Sequence, residues 1–305
     1  MTRRAARFTI NLYPLAFRRR YGDELSALLD QTPVGVHTLF DLLLGALDAH
    51  LRPYEGLTGA LSVGERLRAS ASGVLACWVV FAAAGFGFAK ATEDPPYSAA
   101  GDSHGLLAAA HVGVEVLAVV ASLAVAAGAL PLILAALGHA RRDRRVRGPV
   151  ALPVLAVAVY AGLTALIALI ARSQSAQHAP HGTTGAHLAG IAWALAGAAC
   201  GTVCVLASRR ALFAIPASGK RLLCALVTGT VVTVAMVAIA LTAAAYAIAL
   251  QVDAPRLAAS PNGPFGFAST NLAFAAQLIV MLVTGSLATL TTYRGWRALV
   301  REPAT

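Results

Sequence analysis

Ionisable side chains inside an apolar helix are costly, so where they occur they are functional candidates. The pair that qualifies in this chain is His111 and Glu115, within the apolar stretch 108–138. Four residues apart on a helix they share a face, where an imidazole and a carboxylate can share a proton or hold a cation. Counting about 25 residues back from the basic cluster at Arg141 puts Glu115 close to a membrane interface, within reach of water. An ordinary interfacial pair is therefore the competing reading. By the charge count below, His104, His178, His181 and His187 fall on the same side, and with Glu115 they supply ligand types that suit zinc or copper. His111, Glu115 and His187 would converge into one site if the second and fourth apolar stretches are neighbours. His178-Ala-Pro-His181, however, sits among Gly, Thr, Ser and Gln with no established metal spacing. No cofactor is assigned from the sequence.

Cys77, Cys200, Cys204 and Cys224 lie in the opposite halves of their apolar stretches. That side faces a reducing compartment, which argues against structural disulfides. Cys200 and Cys204 share a helix face but have no nearby His or acidic partner, and so read as small apolar residues. With cysteines on one side and most histidines on the other, a mixed Cys/His metal site is excluded. The chain has no His-Glu-x-x-His helix, no Gly-rich phosphate loop with Lys and no Gly-x-Ser-x-Gly elbow, so nothing in it marks an enzyme.

The elements that carry these residues follow from composition. Of 305 residues, 58% are hydrophobic and 12% charged, whereas a soluble domain carries roughly 25% charged residues. A helix needs about 20 apolar residues to cross the hydrocarbon core. Six stretches meet that requirement: 70–90, 108–138, 149–171, 186–207, 222–250 and 270–292. The second is expected to kink at Pro131, and the overlong fifth to tilt.

Basic residues then orient the chain. The segments before the first stretch, between the second and third, between the fourth and fifth and after the sixth hold 21 of the 24 Lys and Arg residues. The other side keeps Lys90, Arg172 and Arg256, beside Glu93, Asp94 and Asp102. The positive-inside rule puts both termini in the cytoplasm, with the first stretch as an uncleaved signal-anchor. The net charge of +10 thus reads as attraction to anionic inner-leaflet lipids. Without a recognition motif or an aromatic platform it does not read as nucleic-acid binding. Gly197-x-x-x-Gly201, amid Ala194, Ala198 and Ala199, offers a smooth face for close helix approach; it does not fix an oligomeric state.

Residues 1–69 form a cytoplasmic amphipathic helical module and 294–305 a basic tail. Pro14 suits a helix start, Tyr13, Phe17 and Tyr21 recur at i, i+4 and i+8 as a small core, and Gly22 marks a turn before a second helix from Asp23 to about Asp30. After Pro33 a third helix is expected to about Leu51, with Val36, Leu39, Phe40, Leu43 and Leu47 on one face and His37, Asp41 and Asp48 opposite. Arg18, Arg19 and Arg20, with Tyr21 and Glu24, either dock a cytoplasmic protein through carboxylates or form a solvated face on anionic lipid.

The run Leu12-Tyr13-Pro14-Leu15-Ala16-Phe17-Arg18-Arg19-Arg20-Tyr21-Gly22-Asp23-Glu24-Leu25 resembles the pattern Leu-Tyr-Pro-x-x-Phe-Arg-x-Arg-Tyr-Gly-x-Glu. That pattern occurs at the N-termini of bacterial permease-like membrane proteins. These include duplicated orphan permeases related to macrolide-export ABC permeases, and small membrane proteins of GC-rich bacteria. The resemblance covers about the first 50 residues, with Leu25 where the pattern often has Met. It implies a shared cytoplasmic module and supplies no catalytic residue. The rest of the chain departs from those permeases, because no loop here holds the large domain they insert after their first span. The sequence therefore predicts an all-α, six-span bundle behind a cytoplasmic helical module. Its expected role is a non-catalytic permease-like or accessory membrane component; a small-solute or ion transporter and an outer-side His/Glu metalloprotein are the alternatives.

Overall fold

Ser62 starts the first membrane-crossing helix. Its hydroxyl accepts from the Glu65 backbone N–H at 3.3 Å, and the Glu65 carboxylate accepts from the Ser62 backbone N–H at 3.1 Å. This reciprocal capping box satisfies two of the backbone donors that every helix start leaves open. The helix therefore runs over Val63–Thr92 and begins before the apolar stretch at 70.

The computed structural model of the protein describes residues 8–10, 13, 15–31, 35, 37–39, 41–42, 45–46, 62–175, 184–214, 218–261 and 269–301. Among them every regular element is a helix: α1 Leu15–Gln31, α2 Val63–Thr92, α3 Pro95–Ser103, α4 Gly105–Arg142, α5 Arg144–Ser175, α6 Thr184–Ala214, α7 Gly219–Asp253, α8 Pro255–Ala258 and α9 Thr270–Arg301. Six of these, α2, α4, α5, α6, α7 and α9, are long and apolar enough to cross a membrane. All six run past the apolar stretches that reveal them, because backbone hydrogen bonding continues into the interface where long basic side chains reach water. The 38 residues of α4 measure roughly 57 Å at about 1.5 Å per residue, against roughly 30 Å of hydrocarbon. The helix also continues through Pro131.

By internal contacts the chain divides into two compact units, residues 1–69 and 70–305. In the first, Gly22 does not turn the chain; α1 passes straight through it. A lone glycine costs a helix only about 1 kcal/mol, and the Ser26 hydroxyl donates to the Gly22 carbonyl at 2.8 Å one turn on. Tyr13 stacks on Phe17 at 4.9 Å between centroids, and Phe17 meets Tyr21 at 5.0 Å. Ile10, Leu29 and Leu42 form a small core, with Leu25 and Leu39 packed against it. His37 and Asp41 lie exposed, 3.7 Å apart. Burial pushes the Tyr13 phenol above its ordinary value. The remainder of the expected third helix, including Val36, Phe40, Leu43, Leu47 and Asp48, lies outside the described residues.

In the second unit α7 is the hub. It packs most extensively on α4 and next on α9, while α5 packs mainly on α6 and lightly on α4. Of the most apolar window of α7, 44% is buried, and of the corresponding window of α5 none. Small residues explain the close α4 and α7 contact: a methyl group added at Gly113 would lie 3.1 Å from Thr242 Cγ2, and one at Gly128 would overlap Thr228 Oγ1. At the arginine-poor end Phe88, Tyr246, Phe274 and Tyr97 interlock edge to face, with Phe88 5.3 Å from Tyr246 and 5.5 Å from Phe274. The Tyr97 hydroxyl also hydrogen-bonds Thr270 Oγ1 at 2.9 Å, which ties α3 to α9. At the opposite end Ser70 donates to the Thr291 carbonyl at 2.8 Å, and Thr233 and Thr292 pair at 2.9 Å.

Gly128→Val is expected to lower the stability of the detergent-solubilised protein by about 1–3 kcal/mol through overpacking. Gly138→Val, where nothing lies within 4 Å of the added carbon, carries only the helix-propensity cost common to both. Circular-dichroism melting of the two variants checks the difference.

Candidate functional site

The length of α4 decides what His111 and Glu115 experience. With Arg141 and Arg142 in its last turn, the roughly 20 residues that cross hydrocarbon end well short of both. The pair therefore sits near the arginine-poor interface. His111 is 29% exposed and Glu115 57%, and His111 Nε2 lies 3.4 Å from Glu115 Oε1.

A third residue completes the group. Thr92, buried at the end of α2, donates its hydroxyl proton to the Ala89 carbonyl at 2.8 Å and lies 3.0 Å from His111 Nδ1. With that proton committed, the hydroxyl oxygen can accept from Nδ1–H. Nε2 then faces the carboxylate, and a hydrogen bond there needs one more proton, on the imidazole or on Glu115. The group can thus hold a proton between His111 and Glu115 while Thr92 fixes the ring. Thr92 was not legible as a partner, because it lies on another helix and belongs to no motif.

No group of three or more His, Cys, Asp or Glu side chains arranged to hold a metal occurs among the described residues. The backbone of His187 belongs to α6, but its side chain lies outside the described residues, as do His178 and His181. His104 caps locally, its Nδ1 lying 3.0 Å from both Ser103 Oγ and the Ala100 carbonyl. The structure brings together His111 and Glu115 of the three expected residues.

Gly197 and Gly201 do bring helices close. A methyl group at Gly197 would lie 2.9 Å from the Tyr160 hydroxyl on α5, and one at Gly201 would lie 2.7 Å from Val79 Cγ1 on α2. The motif serves packing within this chain. Trp193 reinforces the seam: it stacks on Tyr160 at 5.7 Å, meets Phe86 of α2 at 5.8 Å, and donates through Nε1 to Thr164 Oγ1 at 2.9 Å. Cys204 directs its thiol to the Pro153 carbonyl at 3.8 Å, and all four cysteines are free thiols.

In the first unit, Arg18 and Tyr21 are half-buried on α1 and Glu24 is exposed. The side chains of Arg19 and Arg20 lie outside the described residues. Phe8 and Leu28, which no motif singled out, are 68% and 60% exposed.

His111→Ala is expected to cost about 1 kcal/mol by leaving the buried Thr92 hydroxyl without its imidazole. Glu115→Ala, at a surface more than half exposed, is expected to cost less than about 0.5 kcal/mol. Thermal melts in one detergent compare the two, and equal losses would mean that the carboxylate supports the fold as much as the ring does. No protein-family model matches the chain, and no curated protein or solved structure matches it either.

Proposed function

We propose that this multi-pass membrane protein is a non-catalytic, permease-like or accessory component of a bacterial cytoplasmic membrane. In this reading both termini are cytoplasmic, and the N-terminal helical unit docks a cytoplasmic protein. The observation that carries the reading is the one-sided placement of charge on the spans. Arg141 and Arg142 end α4, Arg209 and Arg210 lie near the end of α6, Lys220 and Arg221 begin α7, and Arg294 and Arg297 lie near the end of α9. Glu93, Asp94 and Asp102 lie at the other ends. Such a division favours one orientation under the positive-inside rule. Docking by the N-terminal unit is supported by the exposed apolar Phe8 and Leu28, with the exposed Glu24 one turn before Leu28 on α1, since exposed apolar side chains mark interaction surfaces when they cluster. The resemblance of its Leu-Tyr-Pro to Gly-x-Glu run to permease-like N-termini points the same way.

A second reading, a small-solute transporter, is favoured by one observation. The side-chain oxygen of Gln277, within α9, is buried and has no hydrogen-bond partner, and its amide nitrogen lies near Gly87 of α2. The hydroxyls of Thr228, Thr230, Thr233, Thr242, Thr284 and Thr289 all donate to carbonyls of their own helices. Gln277 is therefore an isolated polar group and does not continue into a lined path, which leaves transport the weaker reading.

In a cysteine-free background, Asp102→Cys is expected to react with a membrane-impermeant maleimide in intact cells and Ala304→Cys only after lysis. The reverse pattern would overturn the orientation. Affinity capture with the full chain and with residues 1–60 deleted tests docking: specific partners are expected to disappear on deletion, and an unchanged set refutes the role of the N-terminal unit.

A further inference from the structure

The second unit holds a cavity of about 430 Å³ between the peripheral α5 and α6 pair and the core helices α2, α4 and α7. Its volume falls in the range of small-molecule sites, roughly 300–1,000 Å³. Trp78, Ala129, Val150, Leu212 and Val232 represent the five helices that line it, and Pro149 and Pro153 add rigid apolar surface on α5. These positions lie toward the arginine-bearing ends of every helix involved. Buried Ala136, Ala140 and Ala211 pack together at that end, where α4 and α6 meet.

Two features say what the cavity is built to take. It opens sideways: Ile133, Leu137 and Val154 belong to its wall and are also 50%, 45% and 70% exposed on the outer faces of α4 and α5. In a membrane those faces meet acyl chains, so the ligand at highest concentration is already at the opening. The second feature is polarity. Ser208 and Arg209 on α6 line the mostly apolar wall at the arginine-bearing end, where Ser72 and Thr228 are its other polar side chains. Beyond them the helix ends carry Arg66, Arg68, Arg141, Arg142, Arg210, Lys220 and Arg221 against the described carboxylates Glu65 and Asp143. An apolar slot open to hydrocarbon, with a cation at its interfacial end, has the charge and shape complement of an anionic phospholipid.

We propose that this cavity binds one anionic phospholipid, with an acyl chain between α4, α5 and α7 and the headgroup phosphate at Arg209 and Ser208. The site does not depend on which side of the membrane the arginine-bearing end faces. It also explains why α5 can sit so lightly on the core: the lipid completes the packing that side chains leave open.

The full-length protein, purified in a mild detergent and exposed to phosphatidylglycerol or phosphatidylcholine, is read by native mass spectrometry. One phosphatidylglycerol is expected to be retained in preference to phosphatidylcholine. Arg209→Gln is expected to cut that preference about fivefold, while Arg210→Gln, on the same end but outside the wall, leaves it nearly unchanged. Ala129→Phe, which fills the slot, is expected to lower retention of both lipids. Equal losses from Arg209→Gln and Arg210→Gln would reduce the effect to general surface attraction and overturn the site. Equal retention of the two lipids by the unaltered protein would overturn it as well. If Ala129→Phe fails to fold, the paired arginine variants still decide.

Discussion

Hydrocarbon offers no water to a polar group, and this absence governs every helix in the second unit. Backbone groups are satisfied inside each helix, and threonine hydroxyls are satisfied mostly by the carbonyl one turn back. What remains for holding helices together is close packing, which small residues such as Gly113, Gly128 and Ala121 allow between α4 and α7 beside large buried side chains such as Met236 and Ile239. The approach of α4 at Gly113 and Gly128 brings two backbones together, and that contact fixes the line along which the remaining helices settle. α9 adds the few hydroxyl links that cross between helices, such as Thr233 to Thr292. Apolar area alone would not discriminate among these arrangements, since lipid tails are as apolar as the side chains they would replace.

The same constraint leaves the bundle unequal. Helices α2, α4, α7 and α9 share one buried cluster that runs from Val74 to Ala288, whereas α5 and α6 are joined chiefly to each other through Tyr160, Trp193 and Thr164. An outer pair of this kind can stand off the core wherever its contacts are small, and at the arginine-bearing end they are: alanines and prolines line that region. The opposite end is closed by large rings, Phe88, Tyr97, Tyr246 and Phe274, which interlock. One end of the second unit is thus closed by large rings, and the other holds the cavity.

What the sequence revealed and what it concealed divide along the same physical line. The six helices long and apolar enough to cross a membrane were legible because apolar length is a one-dimensional property. The spacing of Tyr13, Phe17 and Tyr21 was legible too, since stacking at i and i+4 is local. The start of α2 at Val63 was concealed beneath a polar stretch, although Ser62 and Glu65 carried the capping-box spacing. The turn assigned to Gly22 failed because a single glycine costs a helix only about 1 kcal/mol, too little to end one that continues to Gln31. The partnership of Thr92 with His111, and the standing-off of α5, follow from tertiary packing that no spacing encodes.

The two ends therefore offer different chemistry. At the arginine-poor end several described polar groups are paired: Thr92 to Ala89 and His111, Tyr97 to Thr270, Gln251 to Asn271. The His111 and Glu115 pair, although ionisable, is anchored into the fold by Thr92, with the imidazole 29% and the carboxylate 57% exposed. At the arginine-bearing end the cavity has apolar surface with no side chain against it and a guanidinium at its edge. Uncovered apolar surface gains about 25 cal/mol for each Å² removed from water. Within a bilayer that gain is replaced by the smaller difference between a fitted chain and a passing one. Retention of a lipid there must then rest on its headgroup, which makes Arg209, more than the size of the slot, the determinant of what the cavity holds.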